Sequence, residues 1–268
     1  MNTKTVFIGG GNMAEALLKG MLSAGKLSAD TTWVTDIREE RLKDLSDAYG
    51  VHTSNRNAEA VNGAAQIWLC VKPQQFEEVL TPLAGQTDGA LVVSIAAGVT
   101  CSTIERLLGG SPRVVRVMPN TPALVGEGMA GVAAGHSATV EDMDYVVQAL
   151  SCVGKAMKVS EEDLHAVTAV SGSGPAYVFY LIEQLQQAGE DLGLSAEAAT
   201  SLALQTVKGA AHLMEQTGES AGVLRERVTS KGGTTAAGLQ AFEDLGVGSG
   251  LQAGVNAAAR RSRELAGD

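Results

Sequence analysis

Aromatic side chains are scarce in this chain of 268 residues: Phe, Tyr and Trp make up 4% of it, while hydrophobic residues make up 45%. The core must therefore be built mainly from small aliphatic side chains. The length suits one large domain or two ordinary ones, and either can bury a substantial core. The 32 glycines are spread along the chain, so they mark local turns rather than a linker.

Cysteine and histidine are also few. The three cysteines, Cys70, Cys101 and Cys152, and the four histidines are widely spaced. This spacing matches neither a disulfide framework nor the close pairs of a zinc site. We therefore predict no metal site, and ordinary reduced thiols in a cytoplasmic protein.

Basic residues are fewer than acidic ones, and the formal net charge is −10. A general nucleic-acid binder needs a basic face, so we predict no nucleic-acid partner, although a local cationic pocket for a phosphate remains compatible with this charge. No apolar run approaches the ~18 residues of a membrane span. The first residues, MNTKTVFIGG, lack the apolar core of a signal peptide. We therefore expect neither a membrane partner nor secretion.

Apolar runs alternate with helical patterns up to about Ser160. The runs that predict strands are TVFIGG, TWVTDI, QIWLCV, ALVVSIAA, RVVRVMP, GMAGVAAG and GKAMKVS. This alternation predicts a parallel sheet with right-handed crossovers. After Ser160 the patterns are helical: Pro175 suits the first turn of a long helix, Gly193 ends it, and Ser195 caps the next. The predicted fold class is α/β, with a domain over residues 1–160 and an all-α domain over residues 161–268.

A glycine-rich stretch joins the first predicted strand to the first predicted helix. Gly9-Gly10-Gly11-Asn12-Met13-Ala14 fits the pattern G-x-G-x-x-G/A, which in this context predicts a Rossmann-type dinucleotide site. Gly9 permits a tight turn, and Gly11 lets the backbone approach a pyrophosphate. The free N–H groups at the helix start then face the phosphates. The alternative is a tight turn that binds no ligand.

Asp36 ends the second predicted strand, where a carboxylate accepts the ribose hydroxyls of NAD and repels a 2′-phosphate. Arg38 and Arg41 follow closely, however, and could reach a 2′-phosphate. Asp36 could also be only a helix cap before a solvated charged face. These residues leave the choice between NADH and NADPH open.

Two further strand ends carry residues of interest. In CVKPQ, Lys72 places a cation near a dianionic cofactor and Pro73 fixes the turn, although Lys72 could also be an ordinary surface lysine. In SIAAG, the small residues leave room for a flat ring, but they are equally consistent with close packing. The carboxyl ends of parallel strands line the ligand crevice of such folds.

Two motifs of the second half precede predicted helices. SGSGPAY, residues 171–177, presents Ser173 and backbone donors to an anion, or is only a small-residue helix cap. TSKGGTT, residues 229–235, resembles an anion-binding helix start in which Thr234 and Thr235 supply hydroxyls, or is a capped loop. A substrate carboxylate is the simplest anion for this second loop.

In this order, the stretches FIGGGNMAEAL, VKPQ, SIAAGVT, RVMPNTP, SGSGPAY and VTSKGGTT resemble pyrroline-5-carboxylate reductases over nearly the whole chain. The resemblance implies a Rossmann domain followed by a helical domain that forms homodimers, often assembled into larger rings. It also implies reduction of the imine 1-pyrroline-5-carboxylate to L-proline with NADPH or NADH, the last step of proline biosynthesis.

The resemblance further implies roles for individual residues. It assigns the cofactor to Ile8, Gly9, Gly10, Gly11, Asn12, Met13, Asp36, Asn57, Val71, Lys72, Pro73, Ala96 and Ala97. It assigns the substrate to Ser173, Gly233, Thr234 and Thr235, with Thr235 as the catalytic residue close to the imine nitrogen. Asp36-Ile37 departs from the Asn-Arg or Ser of many members, and Arg227 stands where several have Asn.

Two other functional readings have their own signatures. A related dehydrogenase of the same architecture, or an enzyme for another cyclic imine, would usually carry a catalytic lysine on the first long helix of the second domain. That region reads SGSGPAYVFY, without a lysine. A non-catalytic dinucleotide sensor would need the first glycine loop but not TSKGGTT.

Overall fold

The computed structural model describes residues 3–267, which fall into two compact units. One unit comprises Met1–Ser173 and Ala258–Asp268, of which residues 3–173 and 258–267 are described, and the other comprises Gly174–Ala257. The first unit contains the sheet, and the second is helical.

Within residues 3–267, eight strands form one sheet: β1 (Thr5–Ile8), β2 (Thr32–Thr35), β3 (His52–Ser54), β4 (Gln66–Leu69), β5 (Leu91–Ser94), β6 (Arg113–Met118), β7 (Gly128–Ala134) and β8 (Gly154–Lys158). Their order is β3-β2-β1-β4-β5-β6-β7-β8. All neighbouring strands run parallel except β6 and β7. The strand order reverses beside β1, which creates the crevice where ligands bind in sheets of this kind.

The helices of the first unit up to residue 167 are α1 (Asn12–Ser23), α2 (Glu39–Tyr49), α3 (Asn57–Val61), α4 (Phe76–Leu80), α5 (Cys101–Leu108), α6 (Val140–Leu150) and α7 (Leu164–Val167). A π-helical turn, Thr168–Gly172, follows α7. The remaining helices are α8 (Gly174–Asp191), α9 (Ala196–Thr217), α10 (Ala221–Arg227), α11 (Thr234–Asp244) and α12 (Val247–Ala266).

The central strands are buried on both faces. Phe7 of β1 packs in one apolar cluster and stacks on Trp68 of β4 with ring centroids 5.8 Å apart. Val6 and Ile8, which point the other way, belong to a second cluster. Burial on both sides explains why these strands read as continuous apolar runs, and it confirms the predicted α/β fold class.

Two details of the sheet differ from the prediction. β7 is antiparallel to β6, because the connection over residues 119–127 is shorter than the dozen or so residues that a parallel crossover needs. The edge strand β3 was not predicted from the sequence, because His52–Ser54 is short and polar and pairs on one side only.

The helical unit follows the predicted start and stop signals. Pro175 lies in the first turn of α8, and the side chain of Ser195 accepts the N–H of Ala198 at 3.2 Å at the start of α9. Gly193, with φ of +92°, lies just beyond the end of α8. Large apolar side chains stay exposed in this unit, among them Phe179, Leu202 and Phe242. Large apolar side chains exposed in such number are typical of a protein interface.

Within residues 3–267, every helix is too short or too polar to cross a bilayer.

Candidate functional site

The glycine loop between β1 and α1 has a conformation that needs glycine. Gly9 has φ of +98°, and an added Cβ would lie 2.8 Å from the carbonyl oxygen of Cys70. Gly11 caps α1 in an extended conformation, and an added Cβ there would meet no atom within 4 Å. The loop therefore packs tightly against the sheet at Gly9 and leaves open space in front of the helix at Gly11.

A cavity of about 420 Å³ opens at this point, over the carboxyl ends of β1, β2 and β4. Its lining residues are Ile8, Gly9, Gly11, Thr35, Asp36, Ile37, Arg38, Asn55, Asn57, Cys70, Val71, Lys72, Gln75 and Val79. Seven of the predicted cofactor residues are therefore brought together here: Ile8, Gly9, Gly11, Asp36, Asn57, Val71 and Lys72.

The other predicted cofactor residues lie outside this lining. Asn12 and Met13 form the first turn of α1, and Pro73 starts a short 3₁₀ helix after β4. Ala96 and Ala97 follow β5, and Ala96 is buried. Gly10 lies between the two lining glycines, with both of its backbone polar groups bonded to side chains.

Asp36 is the most highly connected side chain of the cavity. Its Oδ2 accepts the Gly10 N–H at 3.0 Å, and its Oδ1 accepts the N–H of Arg38 at 3.0 Å. The Arg38 guanidinium adds two bonds, from Nε at 3.0 Å and from Nη2 at 3.1 Å. Burial alone raises the pKa of Asp36, but these donors outweigh it and lower the pKa below its usual value. Asp36 is therefore an ionised carboxylate at neutral pH.

Arg41 does not point into the cavity lining, in contrast to the possibility that it reaches a 2′-phosphate. Its Nε donates to the carbonyl oxygen of Gly10 at 2.6 Å, and its Nη2 bonds Glu15 of α1. Tyr49 donates to the same carboxylate at 2.8 Å. The Arg41 guanidinium lowers the pKa of Glu15 against the opposing effect of burial. Arg41 thus ties the glycine loop to α1 and α2.

Two further contacts shape the cavity floor. The hydroxyl of Thr35 donates to Oδ1 of Asn57 at 2.6 Å, which fixes the side chain that begins α3. The N–H of Lys72 donates to the side chain of Gln75 at 3.2 Å, so the Lys72-Pro73 turn is held while the Lys72 side chain stays exposed.

Sequence reasoning missed several lining residues, namely Thr35, Ile37, Asn55, Gln75 and Val79. Thr35 is the last residue of β2, and the other four follow the carboxyl ends of β2, β3 and β4, which form the edge that lines the crevice in such sheets. Applying that rule to the last residue of each strand and to every residue after it, rather than to charged residues alone, could have found them.

SGSGPAY is held to the sheet of the first unit at its start. The side-chain amide of Asn120 donates to the carbonyl oxygen of Ser171 at 3.0 Å, and an added Cβ on Gly172 would lie 2.5 Å from Cε of Met118. The N–H of Ser173 donates to Thr168 at 2.8 Å and closes the π-helical turn. Such turns occur often at functional sites.

TSKGGTT forms a tight turn followed by α11 in the helical unit. Gly232 has φ of +72°, and an added Cβ on Gly233 would lie 2.4 Å from Oγ of Ser230. Thr234 and Thr235 form the exposed first turn of α11. Among the described residues, no hydrogen bond occupies either threonine hydroxyl. The loop therefore presents backbone N–H groups and two hydroxyls together, which suits an anion.

Arg227, which precedes this loop, is engaged elsewhere. Its guanidinium makes a bidentate pair with Glu219, with N–O distances of 2.5 and 2.6 Å. Within the described residues no cluster of His, Cys, Asp and Glu could hold a metal ion. Cys70, Cys101 and Cys152 are free thiols, and burial raises the pKa of Cys70.

Two protein families match parts of the chain. Residues 161–265 match the family described as pyrroline-5-carboxylate reductase dimerisation. Residues 4–98 match the family described as NADP oxidoreductase coenzyme F420-dependent. The second match covers the glycine loop and Asp36, and the first covers both SGSGPAY and TSKGGTT.

Several relatives that match the whole chain are pyrroline-5-carboxylate reductases. A pyrroline-5-carboxylate reductase from Corynebacterium melassecola is 40% identical over 267 residues, which covers 98% of each chain. One from Methanosarcina acetivorans is 41% identical over 265 residues, with the same coverage. The solved structure of the Coxiella burnetii enzyme superposes with a TM-score of 0.91 at 36% identity, covering 99% of both chains. The Plasmodium falciparum enzyme, solved with NADP bound, gives 0.89 at 30% identity, covering 99% of this chain and 98% of that one.

Proposed function

The chain belongs to the pyrroline-5-carboxylate reductase family and reduces 1-pyrroline-5-carboxylate to L-proline with a nicotinamide cofactor, and we propose which of its residues carry out this reaction. The observation that carries the assignment of roles is the pair of glycine-built loops. One opens α1 beside a cavity, and the other opens α11 with two exposed hydroxyls.

The cofactor belongs in the cavity over β1, β2 and β4. Glycine at positions 9 and 11 suits a bound cofactor. Gly9 allows the tight turn, and the absence of a Cβ on Gly11 leaves space in front of the N–H groups of α1. The residues that would hold the pyrophosphate are Ile8, Gly9, Gly10, Gly11, Asn12 and Met13. Asp36 and Asn57 would hold the adenosine half, and the nicotinamide side would lie at Val71, Lys72, Pro73, Ala96 and Ala97.

The substrate carboxylate belongs at the start of α11. Gly233 caps this helix and donates its own N–H to the carbonyl oxygen of Ser230. The backbone N–H groups that follow it offer donors to an anion, and Thr234 and Thr235 add hydroxyls. We assign the ring nitrogen to the Thr235 hydroxyl, which would orient the imine. Ser173, at the start of α8, completes the proposed substrate set.

The bound cofactor supplies a hydride for the carbon of the C=N bond. The chain's residues contribute position and electrostatics. A protonated imine is already a strong electrophile, so orientation by Thr235 suffices without a histidine or a carboxylate pair beside the ring. The glycine loop fixes one reactant, and the α11 loop fixes the other.

The assembly proposed for this chain is a homodimer, with dimers joined in a larger ring. The match of residues 161–265 to a dimerisation family and the exposed apolar side chains of the helical unit support it. We propose a functional division into a Rossmann dinucleotide-binding domain, 1–160, and a helical dimerisation and substrate domain, 161–268. Residues 161–173 and 258–267 of the second domain belong to the compact unit that contains the sheet. The net charge of −10 supports the absence of nucleic-acid partners, and the three free thiols suit a cytoplasmic location.

Substrate-dependent cofactor oxidation tests the function directly. Purified protein is mixed with 1-pyrroline-5-carboxylate and NADH or NADPH, and both nucleotide oxidation and L-proline are measured. We expect one proline for each nucleotide oxidised. A protein that binds the nucleotides but produces no proline would instead support an enzyme for another imine or a sensor.

A further inference from the structure

The carboxylate of Asp36 is held by hydrogen bonds from its own chain. Its carboxylate accepts four N–H bonds, one from Gly10 and three from Arg38, and its side chain is 9% exposed. Two of the donors are backbone groups, so the carboxylate stays in place even when the Arg38 guanidinium, which is 61% exposed, moves away. Asp36 is therefore a fixed negative charge on the cavity wall.

The nearby cations are neutralised within the chain. Nε and Nη2 of Arg38 donate to Asp36, and the guanidinium of Arg41 donates to Glu15 and to the carbonyl oxygen of Gly10. The remaining charged lining residue is Lys72, which follows β4 and is assigned above to the nicotinamide side. At the end of β2 the pair of Asp36 and Arg38 thus carries no net positive charge to receive a dianion.

The backbone of Gly10 connects the Asp36 carboxylate to the glycine loop. An added Cβ on Gly10 would lie 3.4 Å from Oδ2 of Asp36 and 2.8 Å from Cδ1 of Leu45. The close contact of that Cβ is with Leu45, whereas 3.4 Å from the carboxylate is an ordinary contact distance. The backbone N–H of Gly10 itself donates to Oδ2 of Asp36 at 3.0 Å. The distance between the carboxylate and the pyrophosphate loop is therefore set by the backbone rather than by a flexible side chain.

We propose that Asp36, with Arg38 as its counterion, makes this chain prefer NADH over NADPH. The inference rests on the proposed placement of the adenosine half beside Asp36. A ribose 2′-hydroxyl donates to the carboxylate, whereas a 2′-phosphate meets a charge of the same sign. Such like-charge contacts cost enough to change affinity about tenfold or more.

Calorimetric binding of two cofactor fragments tests the proposal without substrate. The probes are ADP-ribose and 2′-phospho-ADP-ribose, titrated into the full chain and into Asp36→Asn, Arg38→Ala and Asp30→Asn. Asp30 is an exposed acid at the opposite end of β2, so Asp30→Asn removes the same charge from outside the cavity.

We expect the wild-type chain to bind ADP-ribose about tenfold or more tightly than its 2′-phosphorylated form. Asp36→Asn should bring the two affinities within about threefold of each other, because the repelling charge is gone. Arg38→Ala should widen the preference by a further factor of about three, because Asp36 loses its counterion. Asp30→Asn should leave the ratio unchanged.

Two results overturn the proposal. One is a wild-type chain that binds the 2′-phosphorylated probe as tightly as ADP-ribose, which decides the matter even if Asp36→Asn does not fold. The other is an Arg38→Ala variant that loses affinity for the 2′-phosphorylated probe alone, because Arg38 would then be the phosphate ligand. Proline formation in the same preparations reports separately on the proposed function.

Discussion

The side-chain amide of Asn120 donates a hydrogen bond of 3.0 Å to the carbonyl oxygen of Ser171. The two residues are 51 positions apart, and the bond joins the motif RVMPNTP to the motif SGSGPAY. Asn120 also accepts the N–H of Met129 at 2.8 Å, so one buried side chain fixes the end of β6, the start of β7 and the approach to α8. The motif proposed to contact the substrate is thus anchored by a residue that makes no proposed contact with it.

Replacing this side chain should destabilise the protein. We expect Asn120→Ala to lower the free energy of unfolding by about 1–3 kcal/mol, because it leaves the N–H of Met129 and the carbonyl of Ser171 without their partner. Urea unfolding measures the change. Asn62→Ala, on an exposed side chain, is the control and should stay within about 0.5 kcal/mol of wild type. Equal stability of both variants would show that the bridge contributes nothing.

Two alanine substitutions in the glycine loop should separate folding from binding. We expect Gly9→Ala to lower stability by about 1–3 kcal/mol, because φ is positive and the new Cβ meets the Cys70 carbonyl. Gly11→Ala should keep wild-type stability, because its backbone is extended and the space is open. It should nonetheless weaken NADH binding about tenfold, because the methyl group enters the space proposed for the pyrophosphate.

Urea unfolding and NADH titration of the same two variants check this separation. A Gly11→Ala variant with wild-type affinity for NADH would remove the pyrophosphate from this loop. A Gly9→Ala variant with wild-type stability would contradict the strained turn.

Low pH should weaken the ion pair between Glu15 and Arg41. The folded-state pKa of Glu15 is lowered, so this ion pair stabilises the fold above the unfolded-state pKa of about 4.3. The stabilisation is lost as pH falls from about 5 through the folded pKa, because the carboxylate becomes protonated in both states. We therefore expect Glu15→Gln to be less stable than wild type at pH 7 and to approach it at pH 3.

Urea unfolding of wild type and Glu15→Gln at pH 7, 5, 4 and 3 measures this convergence. Glu40→Gln removes an exposed carboxylate from the first turn of α2 and serves as the control. A constant gap between wild type and Glu15→Gln at every pH would mean that the charge of Glu15 is not the stabilising feature.

Much of this architecture could be predicted from local patterns. Val6, Phe7 and Ile8 are apolar in succession because both faces of β1 are covered, and Gly9 must be glycine because its φ is positive. The start of α9 follows from a single capping serine, Ser195. Each of these features depends on residues close together in the sequence.

The remaining features depend on contacts between distant residues. Strand burial does not encode direction, so the antiparallel pairing of β7 could not be read from its apolar run. Arg41 lies five residues after Asp36 and looked able to reach the same ligand, but its partner Glu15 lies 26 positions away. The link between Asn120 and Ser171 has no local pattern at all.

The central claim is that the glycine loop binds the cofactor while the α11 loop orients the imine, and Thr235→Ala tests it most directly. Steady-state turnover with 1-pyrroline-5-carboxylate and the Kd of NADH are measured on the same preparation. Thr235→Ser, which keeps the hydroxyl, and Thr217→Ala, on an exposed helix end, are the controls.

We predict that Thr235→Ala lowers kcat about 10- to 100-fold, because the reacting nitrogen loses the hydroxyl that orients it, while the Kd of NADH stays within about twofold. Thr235→Ser should recover most of the turnover, and Thr217→Ala should match wild type. Unchanged turnover in Thr235→Ala, or a loss of NADH binding that accounts for the whole effect, would contradict this division of roles.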